Sequence, residues 1–169
     1  HPGVITGSGS LVVLANDGTW VSSVDGTWGT QVNWQDGSVA SGQDKTATFA
    51  GASGTTVTLD SNRTVGNLSF SSLDYVITGA SRTLTLDSTV GSTISVASGT
   101  TSIISSRLSS PATVTKTGGG TLKLFAGSGD NYSGAYNHSL NGLDIQSGTV
   151  ELNSQFIRLG PINIASGAT

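Results

Sequence analysis

An all-β chain that coils as a β-solenoid is what this sequence predicts, and three observations predict it. Gly, Ser and Thr make up nearly half of the 169 residues, while only 10% are charged. Disorder usually accompanies high charge and few β-branched residues, and here Val, Ile and Thr abound, so the bias points to ordered strands. Polar and apolar residues alternate in short bursts, the period of a half-buried strand. The bursts recur at quasi-regular steps, and strands that recur in this way are read as turns of a coil.

The strands follow in chain order. The clearest bursts are Thr56-Val57-Thr58-Leu59, Thr83-Leu84-Thr85-Leu86, Thr121-Leu122-Lys123-Leu124 and Thr149-Val150-Glu151-Leu152, with a weaker member, "SGTTSIIS", between the second and third. With Val57, Leu84, Ile103, Leu122 and Val150 as anchors the steps are 27, 19, 19 and 28 residues. Each burst is too short to bury its own apolar face and must stack on a neighbour. Val57, Leu59, Leu84, Leu86, Leu122, Leu124, Val150 and Leu152 are therefore expected to point inward in columns, with Thr, Ser and Lys123 outside. Gly- and Asn-rich stretches between bursts read as corners, "KTGGG" before Thr121 among them. One helical turn is expected around Asn153 to Leu159, ending at Gly160-Pro161.

The length suits a single continuous domain. Residues 1–50 read as an entry or cap segment and residues 51–169 as the rungs. A formal charge of −3 with no run of like charge speaks against nucleic acid and against an anionic membrane surface. No window holds eighteen consecutive apolar residues, so no membrane insertion by this segment is expected. The chain opens on His1 and contains neither Met nor Cys. His1 is read as the product of processing such as signal-peptide removal, or as an artificial boundary.

Val114 to Asn137, "VTKTGGGTLKLFAGSGDNYSGAYN", is followed by "GTVELN". This resembles the autotransporter-associated β-strand repeat, whose pattern is LTKTGxGTLxLxGxNxYSG and then GTLxL; residues 114–153 look like one copy. Upstream, Trp20, Trp28, Asn33-Trp34, "GQDKTATF" and "VTLDSNRTVGNLSF" are similar to the entry segment of such proteins. The resemblance implies a right-handed parallel β-helix with a Trp-rich amino-terminal cap, in a secreted or cell-surface bacterial protein. It implies a structural or adhesive role, with copies of itself or downstream repeats of the same precursor as partners. The insertion "SGDNYSGAYNHSLNGLDIQSG" is longer than the family spacing, and no membrane-anchoring barrel is present in this sequence.

Chemistry-bearing residues are sparse. Trp20, Trp28 and Trp34 are either a cap over the first rung or an aromatic platform for sugars of a cell-surface polysaccharide, which would make the chain a carbohydrate-binding or carbohydrate-cleaving β-helix. Of the carboxylates only Asp17 with Asp25, and Asp130 with Asp144, are near each other, and no HExxH, GxSxG or Cys nucleophile occurs. A non-catalytic protein with no cofactor is expected. A phosphate loop needs Lys after the glycines, whereas Lys116 precedes them. "GSGDN" at 127–131 is a poor oxygen cage for calcium. His1 and His138 are the only histidines and would have to meet to hold copper; His138 is read instead as part of an insertion loop, and no metal is expected. Asn62, Asn67, Asn131 and Asn137 open Asn-x-Ser/Thr triplets, which a chain of this composition produces by chance. Finally, "PINIASGAT" looks like the start of a further repeat, so Ile162 and Ile164 are expected to form an edge that pairs with a continuation or a second copy. Such pairing would run head-to-tail into a filament.

Overall fold

The computed structural model describes residues 15–52, 54–79, 81–125, 138–153 and 157–169. Its strands are β1 (Gly18–Trp20), β2 (Gly26–Thr27), β3 (Gly42–Phe49), β4 (Thr56–Thr58), β5 (Arg63–Phe70), β6 (Tyr75–Thr78), β7 (Thr83–Leu86) and β8 (Ser92–Val96). They continue as β9 (Thr101–Ile104), β10 (Arg107–Thr117), β11 (Thr121–Phe125), β12 (His138–Ile145), β13 (Thr149–Asn153), β14 (Ile157–Leu159) and β15 (Ile162–Ile164). The described residues contain no α-helix, only two 3-10 turns at Gln31–Asn33 and Gln35–Gly37.

The protein is all-β, and its strands pair in parallel in two sheets. The first sheet runs β1-β3-β5-β7-β10-β12-β14, with β8 beside β5 and β10 and β15 beside β12; the second runs β13-β11-β9-β6-β4-β2. Successive passages of the chain thus visit the first sheet and then the second, and each such passage is one circuit. β1 with β2 form circuit one and β12 with β13 form circuit six; β14 and β15 begin circuit seven. This order is compatible with a β-solenoid.

Pairing puts like positions of successive circuits on one inner line. In the first sheet Ala47, Leu68, Ile94, Lys116, Ile145 and Ile164 follow one another across the ladder. In the second the line is Val57, Ile77, Ile104, Leu124 and Leu152. Burial of each large aliphatic contributes about 1.5–3 kcal/mol, so these lines carry the stability.

The columns correct several expectations. Val57, Leu59, Leu84, Leu86, Leu122 and Leu124 are buried as expected. Leu84 and Leu86, however, belong to the first sheet and Val57 to the second, so the step between those anchors is not one circuit. The true partner of Val57 is Ile77 in the unrecognised strand "YVIT". Ile103 was the wrong anchor: Ser102 and Ile104 are buried and Ile103 faces outward, because β9 is registered on Leu122 and Leu124. Val150 and Leu152 keep the inner register, yet Val150 is half-buried and Leu152 is 43% exposed. β13 is the last strand of the second sheet among the described residues, and only the start of a further passage reaches it: the Thr169 carbonyl accepts from the Val150 N–H at 2.8 Å, while no described strand pairs beyond Leu152. The helical turn expected at Asn153 to Leu159 is also overturned. Asn153 ends β13 and Ile157–Leu159 is β14, paired with β12; residues 154–156 lie outside the described residues.

Two irregularities shape the first sheet. β3 bulges between Gly42 and Thr46, where Asp44 takes φ 62°, and a Cβ at Gly66 would come within 2.6 Å of the Asp44 Cα. Glycine beneath the bulge is what lets it lean over circuit three. β10 shifts register between Ser110 and Thr113, at Pro111, whose carbonyl accepts from Asn141 Nδ2 at 2.6 Å. That break lets one long strand pair with β7 over its first half and β8 over its second.

Candidate functional site

The three tryptophans converge. Trp34 makes an edge-on contact with Trp20 at 5.3 Å and lies 5.1 Å from Trp28; Phe49 is 5.8 Å from Trp28 and stacks on Phe70 at 4.9 Å. The loop between β2 and β3 brings Trp34 back across β1, where it forms an antiparallel bridge with Trp20, and Asn16 bridges Ser41. Trp28 Nε1 donates to the Ala40 carbonyl at 3.0 Å and Trp34 Nε1 to the Trp28 carbonyl at 2.6 Å. Exposures of 0%, 0% and 2% leave no ring face free for a sugar, which corrects the platform reading. The indoles bury their area against one another and against Phe49 instead.

The carboxylates and carboxamides serve the backbone. Asp17 accepts from the Thr46 N–H at 2.7 Å, Asp25 from Thr56 at 2.7 Å and Asp74 from Thr101 at 2.6 Å. Asn62 and Asn67 do the same for Thr83 and Thr93, each at 3.0 Å. In every case an Asx oxygen at one circuit holds a Thr amide of the next. Asp17 and Asp25 are thus separate fastenings rather than an acid and base facing a common substrate. Asp44 accepts from the Thr89 N–H at 2.7 Å and the Ser88 hydroxyl at 2.9 Å, and these bonds hold its carboxyl below the usual range. For Asp60 burial acts to raise the carboxyl, and the bond and charge of Arg63 at 2.6 Å outweigh it. Lys123 pairs with Glu151 at 2.9 Å across the outer face of circuits five and six. Asp130 and the 127–131 stretch lie outside the described residues, as do His1, Asn131 and Asn137.

The burial of two basic side chains escaped the sequence reading. Lys116 follows Val114 by two positions and so points inward with it, fully buried. Its Nζ donates to the carbonyls of Thr117 and Gly118 at 2.8 Å each, and of Gly120 and Ser147 at 3.1 Å each. Burial lowers its pKa from the ordinary lysine value. The four carbonyl dipoles act the other way, because they favour the charged form. His138 is not in a loop: it opens β12, pairs with Leu108 and is fully buried; among the described residues neither ring nitrogen has a close hydrogen-bond partner, and the nearby Phe125 backbone favours the charged ring only weakly against burial. Burial lowers its pKa to about 4. Both were legible as period-two partners, Lys116 of Val114 and His138 of Leu140. Among the described residues no group of three or more His, Cys, Asp or Glu could hold a metal.

At the carboxyl-terminal edge, Ile162 and Ile164 are 45% and 58% exposed. β15 pairs with β12 in the register Leu143 to Ile162 and Ile145 to Ile164, so both continue inner columns. In comparisons with protein-family models, curated proteins and solved structures, none matches this chain.

Proposed function

We propose that this chain is a non-catalytic structural and adhesive module: a right-handed parallel β-helix with a Trp-rich amino-terminal cap, from a bacterial surface or secreted protein related to the autotransporter-associated repeat family. The observation that carries the reading is the pair of parallel ladders, which keep inner columns in register from β1 to β15 and leave the last rung uncovered. Parallel strands of one sheet joined through a crossover are right-handed in about 98% of cases, which supports the hand. The buried Trp cluster and the loop bridged to β1 support the cap. The use of Asp17, Asp25, Asp44 and Asp74 as backbone acceptors supports a scaffold over a hydrolase.

Exposed Leu152, Ile162 and Ile164 favour a further circuit of like sequence as the partner, from downstream repeats or from a second copy. Growth by unbroken head-to-tail stacking is disfavoured, because the free side of β1 is already bridged by Trp34 and its loop. Limited proteolysis, solution scattering and a polysaccharide hydrolysis panel test the reading together. A protease-resistant particle that releases no reducing sugar is expected. Rapid cleavage within circuits two to five would overturn the scaffold, and sugar release would overturn the non-catalytic role. For the edge, Ile162→Lys with Ile164→Lys should leave the particle folded and abolish any association seen by sedimentation. Association that survives both substitutions would place the contact elsewhere.

A further inference from the structure

We propose that the triglycine corner Gly118-Gly119-Gly120 is a monovalent-cation site whose resident ion is the protein's own Lys116 ammonium, and that this internal ion fastens circuit six to circuit five. The polarity of the corner is the first argument. A phosphate loop turns backbone N–H groups inward; here four carbonyl oxygens, at 2.8 to 3.1 Å, converge on one nitrogen. Oxygen ligands of that kind select a cation. The three protons of the ammonium are shared among the four acceptors.

Glycine creates the cage. Gly118 has φ 74°, and a Cβ there would strike the Val96 carbonyl oxygen. A Cβ at Gly120 would strike the Ala97 oxygen, and one at Gly148 would strike the oxygens of Gly120 and Gly118. Corners of circuits four, five and six therefore stack backbone on backbone. Such close approach brings carbonyl dipoles of one sign together, and a positive charge between them offsets their repulsion.

The column supplies the second argument. Its other members on either side, Ile94 and Ile145, are aliphatic, and Lys116 alone in this line carries charge. No carboxylate of the described residues pairs with it. The charge is thus met only by backbone oxygens, three from its own corner and one, Ser147, from the next circuit. That fourth bond is the fastening. Lys116 is a positioning residue for circuit six.

The test compares Lys116→Ala, which empties the cage, with Lys116→Met, which fills its volume without charge. Both should melt roughly 5–10 °C below the unmodified protein. Propylammonium chloride should restore at least half of the loss in Lys116→Ala and none in Lys116→Met. Tetramethylammonium chloride at equal ionic strength, too large for the cage, should restore neither. Equal stability of Lys116→Met and the unmodified chain, or equal recovery in both salts, would overturn the proposal, as would no recovery at all in a folded Lys116→Ala. Should Lys116→Ala fail to fold, the unmodified protein labelled with 15N-lysine decides. A slowly exchanging Lys116 ammonium signal supports the cage, and exchange as fast as at Lys45 and Lys123 rules it out.

Discussion

Asp74 Oδ1 lies 2.6 Å from the backbone nitrogen of Thr101, one circuit further along the chain. The same relation joins Asp17 to Thr46, Asp25 to Thr56, Asn62 to Thr83 and Asn67 to Thr93. Parallel ladders leave amides at strand entrances, and at Thr46 after the bulge of β3, without a backbone acceptor, and a short side chain from the circuit before supplies it.

Removing one fastening should cost little and removing several should accumulate. Asp74→Ala is expected to lose at most about 1 kcal/mol, because the bond is solvent-exposed. Asp74→Asn keeps an acceptor and should lose less. Asp17→Ala, Asn67→Ala and Asp74→Ala combined should lose close to the sum of the three, measured by urea unfolding, since the sites are separate. A combined loss no larger than one single loss would show that these bonds do not hold the circuits.

Trp34→Ala should destabilise by about 3–5 kcal/mol, the range for a buried aromatic in a packed cluster. Trp34→Phe should recover part of this, without the bond to the Trp28 carbonyl. Emission of the unmodified protein should be blue-shifted and unchanged by soluble polysaccharides. Quenching or a shift on adding a polysaccharide would mean that an indole reaches solvent.

His138 predicts an acid limb in stability. Its folded pKa of about 4 lies below the unfolded value near 6.5. The unfolded chain therefore takes the proton first. Stability is complete above about pH 6.5 and is lost as the pH falls toward 4, by up to about 3 kcal/mol. Leu108 pairs with His138 on β10, whose Arg107 faces outward and whose Lys116 is held in its carbonyl cage; Asp144 on β12 and Arg158 on β14 also face outward. His138→Leu should flatten the profile between those pH values. An unchanged profile would assign the acid limb to carboxylates.

Leu124 and Leu152 are register partners with different surroundings. Leu124→Ala should cost about 2–5 kcal/mol and Leu152→Ala well under 1 kcal/mol. Thermal melts of the two variants check this directly. Equal costs would mean that the last rung is covered in solution.

Alternation and composition by themselves determined the all-β class, most of the inward residues and the place of the triglycine corner. A period of two specifies a face wherever large aliphatics alternate with Thr, as in Thr83-Leu84-Thr85-Leu86. It fails where both faces carry similar residues. "TTSII" offers Ile on both, and only pairing with Leu122 and Leu124 put Ile104 inside and Ile103 out. The sequence likewise marked the three tryptophans without saying whether they face water, because their burial depends on a loop that returns over β1.

Which strands share a sheet was a tertiary decision. Val57 and Leu84 look alike locally, and the corners between them, which the spacing treated as one step, carry the chain through another strand of each sheet. Lys116 shows the limit most plainly. Its place in the alternation pointed inward, yet its charge argued for the surface. The contradiction is resolved by carbonyls of Gly118 and Gly120, turned inward by the corner itself, and by that of Ser147, added when the next corner stacks on it. A period encodes direction along one strand; what makes that direction tolerable for a charge is the fold of the corner that follows it and, through Ser147, the corner of the next circuit.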